Sequence, residues 1–179
     1  MEPLAPRRIA IMGAPGAGKS SLVSALACRG WRVVPESARI ILQQPGGMEL
    51  RANDPLGFAM AMLAAGRDAF NTVEPGETVI FDRGLCDIVA FLRIGGQAVP
   101  EKLTLACREL RFDAPVLHAP AWKAIYRPDA ERIQRWDEAL ESDRQNLRAW
   151  RDFGYRPITL PLTDLGGRID WFEALLRSG

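Results

Sequence analysis

The chain has 179 residues, 47% of them hydrophobic, and a formal net charge of +1. This length and composition predict one domain with one hydrophobic core, spanning residues 1–179. A net charge so close to zero gives no overall field that favours nucleic acid or an acidic membrane surface. No stretch approaches the ~18 apolar residues of a membrane-spanning helix. We therefore expect neither nucleic acid nor a membrane as a partner, and the oligomeric state stays open.

The cysteines bear on the cellular compartment. Cys28, Cys86 and Cys107 are widely spaced and form no C-x-x-C pair, which gives no support to a zinc or thioredoxin-like site. We expect them to be reduced and to pack as small apolar residues. The first residues contain no apolar core typical of a signal peptide. Together these features predict a cytoplasmic protein.

Strands and helices alternate along the whole chain. Asp54 and Pro55 form a helix start signal and predict a helix at 54–72. A second, long helix is predicted after a cap at Asp129. Its apolar stripe consists of Ile133, Trp136, Leu140, Leu147 and Trp150. The stretch 45–53 reads as a break and loop. The other predicted helices are 19–28, 36–44, 84–94, 100–111 and 164–176, and the predicted strands are 9–12, 31–35, 77–82, 114–119 and 156–162.

This order indicates the fold class. Several predicted strands are almost continuously apolar, which is typical of parallel strands buried on both faces. We expect a three-layer α/β fold with a five-stranded parallel sheet. Ligands of such sheets bind at the carboxyl ends of the strands, where the candidate residues lie.

The first strand leads into the sequence GAPGAGKS, from Gly13 to Ser20, which fits the G-x-x-x-x-G-K-[ST] phosphate loop between a strand and a helix. Glycines allow the backbone to turn its N–H groups towards phosphate oxygens, and the following helix adds its positive end. Lys19 would reach the β- and γ-phosphates, and the Ser20 hydroxyl would bind Mg²⁺. The predicted nucleotide-binding residues are Gly13, Ala14, Pro15, Gly16, Ala17, Gly18, Lys19, Ser20 and Ser21.

A second acidic group is needed near the metal. The apolar sequence TVIFD ends in Asp82, which matches the carboxylate that holds Mg²⁺ in phosphate-loop proteins. Asp82 also suits the N-cap of the next helix, and the two roles are compatible. Arg83 follows directly and could neutralise phosphate or form a structural ion pair. No N-K-x-D guanine motif occurs anywhere in the chain, which favours ATP over GTP.

Further motifs suggest a family. The segments VVPESARIIL and FDRGLCDIVAFL resemble those of deoxynucleoside and nucleotide kinases, in which P-E follows the second strand and D-R or E-R-S the third. The chain is more similar to small ATPases of the AAA type related to the nicotinamide riboside kinase domain. In these, PE-x-AR, DP-x-x-FA, FDRG-x-x-D, P-x-W and D-x-ER recur in this order. The resemblance covers nearly the whole chain and implies a nucleoside or nucleotide kinase-like fold.

The resemblance also implies residue roles. Glu36 matches the glutamate that accepts a proton from the substrate hydroxyl, Asp82 the magnesium-associated acid, and Arg83 a phosphate-binding arginine. Arg39, one helical turn after Glu36, and Asp87, four residues after Arg83, are expected to orient these groups and to contact the substrate.

The resemblance further implies a lid. It would span roughly residues 119–132 and carry Arg127 and Arg132, which would contact the nucleotide and the transferred phosphoryl group when the lid closes.

Two residues have competing interpretations. Arg67 falls within an apolar stripe of Leu56, Met60, Leu63 and Phe70, so either its stem snorkels to the edge of the helix or it forms the floor of a substrate pocket. His118, the only histidine, is interpreted as a packed or capping residue.

Two functions follow. The first is a kinase that uses ATP and Mg²⁺ to phosphorylate a small, hydroxyl-bearing, nucleoside-like molecule. The second is a nucleotide-dependent binding or switch protein with slow ATP or GTP hydrolysis, in which the lid or the 45–53 loop orders around the γ-phosphate.

Overall fold

The computed structural model describes residues 7–113, 115–126 and 135–177. Five strands form one sheet, in the spatial order β2-β3-β1-β4-β5. Every pairing is parallel; in the central one, Ile9 of β1 lies opposite Ile80 of β3. The predicted five-stranded parallel sheet is therefore confirmed. The strands are β1 (Arg7–Gly13), β2 (Arg32–Val34), β3 (Thr78–Asp82), β4 (Leu117–Ala119) and β5 (Ile158–Thr159).

The helices cover both faces of the sheet and give the predicted three layers. They are α1 (Lys19–Cys28), α2 (Ser37–Leu42), α3 (Gly47–Asn53), α4 (Pro55–Asn71), α5 (Leu85–Ile94), α6 (Glu101–Glu109), α7 (Trp136–Asp152) and α8 (Leu165–Arg177). None of the helices in the described ranges is both long and apolar enough to cross a membrane.

The alternation of side chains along β1 divides the core into two. Ile9 and Ile11 point to the side covered by α1 and α8, where Leu22 and Phe172 are buried. Ala10 and Met12 point to the opposite side, which α4, α5, α6 and α7 cover. Because successive residues of a strand face opposite sides, an apolar run such as 9–12 supplies both cores at once.

One predicted loop is a helix. The stretch 45–53 contains the turn at Gly46, with φ 78°, and then α3. Gly47 is buried against the carbonyl of Ile41, and Leu50 packs on the larger core. The glycines that indicated a break therefore mark the start of a short helix, which tertiary packing holds in place.

Three smaller expectations need correction. The fifth strand has only two residues, both exposed at the edge of the sheet. The strand predicted from the sequence, 156–162, has seven. The long helix α7 begins at Trp136, and the predicted cap Asp129 and stripe residue Ile133 lie outside the described residues. Cys86 and Cys107 are buried as expected, but Cys28 at the end of α1 is exposed.

Candidate active site

A cleft of about 1210 Å³ opens at the carboxyl ends of the strands. The phosphate loop and the start of α1 form its base, and α2, α4, α5 and α7 form the walls on one side. The loop before α8 and the first residue of that helix close the other end, with Thr163, Asp164 and Leu165. Of the nine nucleotide-binding residues predicted at 13–21, six line this cleft: Pro15, Gly16, Gly18, Lys19, Ser20 and Ser21.

The phosphate loop depends on backbone that only glycine adopts readily. Gly13, Gly16 and Gly18 have φ values of 127°, 73° and 80°. A Cβ at Gly13 would overlap the carbonyl oxygen of Ala119 on the neighbouring strand. Ala14 and Ala17 are buried below the loop and attach it to the smaller core. The loop is thus fixed from beneath, and its upper surface forms the floor of the cleft.

Lys19 is folded back onto the loop. It is only 5% exposed, and its Nζ donates hydrogen bonds to the carbonyl oxygens of Gly13, at 3.2 Å, and Ala14. Burial lowers the pKa of Lys19 to about 7, and the positive charge of Arg83 acts in the same direction. An ammonium group held under such conditions is stabilised by an incoming anion, which is what a phosphate provides.

Ser20 and Asp82 meet beneath the cleft. The Ser20 hydroxyl donates to Asp82 Oδ2 at 3.0 Å, and Asp82 Oδ1 is buried with no hydrogen-bond donor among the described residues. Burial raises the pKa of Asp82 despite the attraction of Lys19. A buried carboxylate oxygen without a partner, beside a hydroxyl, fits a hard cation that prefers oxygen ligands. These two residues would hold Mg²⁺ together with phosphate oxygens, as the sequence predicts.

Glu36, Arg83 and Asp87 form one ion-pair network. Arg83 Nε donates to Glu36 Oε1 at 2.8 Å, and Arg83 Nη1 donates to Asp87 Oδ1 at 2.9 Å and to the Gly13 carbonyl at 3.1 Å. Burial works to raise the pKa of Glu36, but the charges of Arg83 and Lys19 outweigh it and hold this pKa below its usual range. Glu36 is therefore ionised at neutral pH and lies at the cleft wall.

Arg83 has an unusual backbone. Its φ is 73°, and it is the one non-glycine residue with positive φ in the described part of the chain. Such a conformation typically costs about 1–3 kcal/mol and persists where the surroundings fix it. Here the Arg83 N–H donates to the Ile11 carbonyl at 3.0 Å, and the carboxylates of Glu36 and Asp87 raise the pKa of the guanidinium despite its burial. The strained residue is thus held at both its backbone and its side chain.

The same network is tied to α7. Asp87 Oδ2 accepts hydrogen bonds from the indole N–H of Trp150 and from the Gly84 N–H, both at 3.0 Å. Trp150 is fully buried and packs edge-on against Phe112 and Tyr155. Asp87 orients Arg83, as predicted from their spacing, and α7 in turn orients Asp87.

One part of the cleft wall is apolar. Phe58 and Met62 of α4 line the cleft, and the Phe58 ring contacts that of Phe91 edge-on at 5.5 Å. Arg39 of α2 also lines the cleft, one turn after Glu36. Arg67 does not line it and is partly buried on α4, which corrects the interpretation as a pocket floor and leaves the snorkelling one.

The far end of the cleft holds a residue that the sequence did not single out. Arg168 of α8 is 3% exposed, with Nη1 donating to the Ala17 carbonyl at 2.7 Å and Nε to the Pro161 carbonyl at 3.0 Å. Its guanidinium lies 5.2 Å from the ring centre of Trp122, and both residues line the cleft. The P-x-W motif pointed to Trp122, but no local pattern marks Arg168.

The remaining predictions concern the lid and His118. Arg127 and Arg132 lie outside the described residues, as does most of the predicted lid; the described part, 119–126, contributes Trp122 and Ile125 to the cleft. His118 is buried, with Nε2 2.9 Å from Asp143 Oδ1 and Nδ1 3.3 Å from Thr159 Oγ1. It is a packed residue, as interpreted from the sequence.

Comparisons with known proteins identify the family and the fold of the chain. A family model described as an AAA domain matches residues 8–168, which include the phosphate loop, Glu36, Arg83 and Arg168. The chain belongs to the AAA domain family. No curated protein matches its sequence significantly.

Solved structures show which version of the fold this AAA domain has. Deoxyadenosine kinase from M. mycoides, solved with dCMP and dCDP, gives a TM-score of 0.70 at 16% identity, over 96% of this chain and 98% of that one. Thymidylate kinase from Candida albicans gives 0.64 at 13% identity, over 97% and 92%. NadR with NAD and AMP-PNP gives 0.61 at 18% identity, over 96% of this chain and 49% of that one. The domain has the phosphate-loop fold of nucleoside kinases.

Proposed function

We propose that the protein is a kinase that transfers the γ-phosphoryl group of ATP to a hydroxyl of a small, nucleoside-like acceptor. The observation that supports this best is the shape of the cleft. At about 1210 Å³ it exceeds the ~300–1,000 Å³ typical of a site for one small ligand. It runs from the phosphate loop past Glu36 and Arg83 to the apolar wall of Phe58 and Met62. A cleft of this size and extent has room for a nucleotide and a second substrate side by side.

In this proposal each end of the cleft has its own substrate. ATP lies along the phosphate loop, with its base towards Trp122 and Arg168 and its phosphates near Lys19 and Arg83. The acceptor lies against α4, where its planar part contacts Phe58. The charge on the transferred group is spread over several oxygens in the transition state, so fixed cations and correct alignment supply most of the catalysis.

Glu36 would contact the attacking hydroxyl. Its pKa is held below the usual range by Arg83 and Lys19, so it enters the reaction as a carboxylate that accepts a hydrogen bond. A loose transition state develops little positive charge on the attacking oxygen until late, so a weak base in the right place suffices. Arg39 and Asp87 keep the roles of neighbours that orient Glu36 and Arg83.

Mg²⁺, when bound with ATP, would neutralise charge on the β- and γ-phosphates. Ser20 and Asp82 are the residues that would hold it. No group of three or more His, Cys, Asp or Glu side chains among the described residues could hold a metal without other ligands. This agrees with an ion that arrives with the nucleotide and keeps several waters.

A second function has one observation in its favour. The side chain of Glu36 is engaged by Arg83, and a carboxylate in an ion pair can hold a protein in one conformation without taking part in chemistry. A nucleotide-dependent switch with slow hydrolysis would use Arg83, which is strained, as the element that responds to the γ-phosphate. We also propose a cytoplasmic location, which suits a protein with free cysteines.

The experiment that tests the kinase is a phosphoryl-transfer screen with labelled ATP and a panel of nucleosides, nucleoside monophosphates and simple alcohols. Lys19→Ala should abolish transfer and weaken ATP binding by roughly 10- to 100-fold, since it removes a charged hydrogen-bond donor. Lys102→Ala, an exposed lysine on α6, is the matched control and should behave as wild type. Tight ATP binding with no labelled product from any acceptor would favour the switch.

A further inference from the structure

One face of α7 turns towards the cleft and has no role in the mechanism above. Glu138, Ser142 and Asn146 are spaced four residues apart, so they lie one above the other on the helix, and all three line the cleft. We call these three residues the α7 face. The next position in the same row is Trp150, which anchors Asp87.

Asn146 is the unusual member of this face. It is 3% exposed, and its Nδ2 donates to the Ser142 carbonyl at 2.8 Å and lies 3.4 Å from Ser142 Oγ. Because the carbonyl must face an N–H group, these contacts fix which end of the amide is nitrogen. Asn146 Oδ1 is then left buried with no donor among the described residues. Buried polar atoms of this kind are rare unless something outside the protein satisfies them.

The chemistry of Oδ1 restricts the partner. A carbonyl oxygen only accepts hydrogen bonds, so the missing partner is an O–H or N–H group and not a phosphate oxygen. Elsewhere on the α7 face, Glu138 is an acceptor too: its Oε2 already takes the Arg135 N–H at 2.8 Å. The face therefore suits a molecule that presents donors, which the triphosphate of ATP does not.

The position of Asn146 relative to the reacting groups is also fixed. It stands one helical turn before Trp150, whose indole N–H donates to Asp87. Asp87 in turn accepts a hydrogen bond from Arg83, and Arg83 also donates to Glu36. A ligand bound to Oδ1 is thus located against the same rigid network as Glu36. The apolar wall of Phe58 and Met62 faces the same cleft.

We propose that Asn146, supported by Ser142 and Glu138, recognises the phosphoryl acceptor by accepting a hydrogen bond from a hydroxyl that does not itself react. This rests on the proposed kinase function and deepens it. The acceptor then has at least two donor groups, one that attacks and one that Asn146 reads. A ribosyl group has this chemistry, and a simple alcohol does not.

The test removes the two partners of this hydrogen bond separately and together. The probes are adenosine, 2′-deoxyadenosine and 3′-deoxyadenosine, and the measurement is the KM for each in labelled phosphoryl transfer. A site built to hydrogen-bond a hydroxyl strongly rejects the analogue that lacks it, so in wild type at least one deoxy analogue should have a KM about tenfold higher or more. In Asn146→Ala that ratio should fall towards one, because the partner is already absent.

The neighbouring Gln145→Ala is the matched control. Gln145 bonds to Glu141 on the same helix and does not line the cleft, so this variant should keep the wild-type ratios. If Asn146→Ala does not fold, Asn146→Leu carries the same comparison, since leucine has nearly the same shape and lacks the oxygen. Unchanged ratios in the α7-face variant would overturn the role of Asn146 and leave the kinase standing. No transfer by wild type to any of these nucleosides would overturn both for this acceptor class, and ATP binding would show that the protein is folded.

Discussion

Two neighbouring residues at the end of β3 belong to regions of opposite character. Asp82 lies with Ser20 at the proposed Mg²⁺ site, here called the metal side, and one of its carboxylate oxygens has no donor among the described residues. Arg83 lies on the side proposed for the acceptor, here called the acceptor side, where its side chain is held by Glu36, Asp87 and the Gly13 carbonyl. The first region has unsatisfied groups, and the second is a closed network.

The difference indicates which parts of the site need their ligand. On the metal side, burial raises the pKa of Asp82 and lowers that of Lys19, so both charges are disfavoured in the protein without ligands. On the acceptor side, the charges compensate each other, and the geometry is set beforehand. Substitutions on the metal side should affect function with little loss of stability, whereas those on the acceptor side should affect both.

Among the changes that compare the two regions, Glu36→Gln should have the largest effect. It removes the carboxylate charge that we place at the attacking hydroxyl, and loss of such a group typically lowers the rate about 10²–10⁴-fold. The affinity for ATP should stay nearly the same, because Glu36 contacts no phosphate in the proposal. Because the carboxylate also pairs with Arg83, the free energy of unfolding should fall by roughly 1–3 kcal/mol. Steady-state kinetics, ATP calorimetry and urea unfolding measure the three quantities. Native turnover in this variant would refute the kinase mechanism.

Asp82→Asn should have the next largest effect, and it distinguishes the metal side from the acceptor side. We expect Mg²⁺-dependent turnover to fall by about 10²–10³-fold, because the metal loses its protein carboxylate. The melting temperature without ligand should not decrease, since a disfavoured buried charge is removed. Asp87→Asn is the matched change on the acceptor side: it should cost about 3–5 kcal/mol of stability, because Arg83 keeps only one carboxylate partner. Equal destabilisation by both variants would contradict the comparison.

The pH dependence of stability tests the metal side without any ligand. The unfolded chain keeps Lys19 protonated up to its ordinary pKa of 10.5, whereas the folded protein releases this proton near pH 7. Between these values the unfolded state binds more protons, so the contribution of Lys19 to stability rises with pH, by at most about 1.4 kcal/mol per unit. Urea unfolding at pH 7, 8 and 9 measures the gap in unfolding free energy between metal-free wild type and Lys19→Met. This gap should shift in favour of wild type as the pH rises. A constant gap would mean that Lys19 keeps its ordinary pKa.

Trp150→Phe should have the smallest effect. It keeps an aromatic ring against Phe112 and Tyr155 but removes the N–H that Asp87 accepts. We expect a loss of roughly 1 kcal/mol in the free energy of unfolding and a few-fold decrease in kcat, because Arg83 is then less firmly oriented. Trp171→Phe, in the other core, is the control and should leave kcat unchanged. A change in kcat of the same size in both variants would show that the Asp87 contact has no special part in catalysis.

Much of this protein followed from its sequence because the signals are local. The apolar run before GAPGAGKS, the glycines in that motif and the carboxylate that ends TVIFD each depend on a few consecutive residues. They sufficed to predict the alternation of strands and helices, the parallel sheet and the pair Ser20–Asp82. The i to i+4 spacing of Arg83 and Asp87 likewise predicted a contact that the structure contains. The helix α3 was missed because a glycine that starts a short helix looks locally like one that ends a segment.

The tertiary structure decided the contacts between residues that lie far apart in the chain. Nothing near Arg168 indicates that it reaches back to the carbonyl of Ala17, 151 positions earlier. Likewise, Trp150 looks like one more residue of an apolar stripe, and its N–H bond to Asp87 exists only because α7 packs on α5. The sequence by itself determined the phosphate loop, since backbone conformation and helix ends are local properties. The walls of the cleft, the closed network around Arg83 and the unsatisfied oxygen of Asn146 depend on how the layers pack, because burial and pairing arise only when distant segments meet.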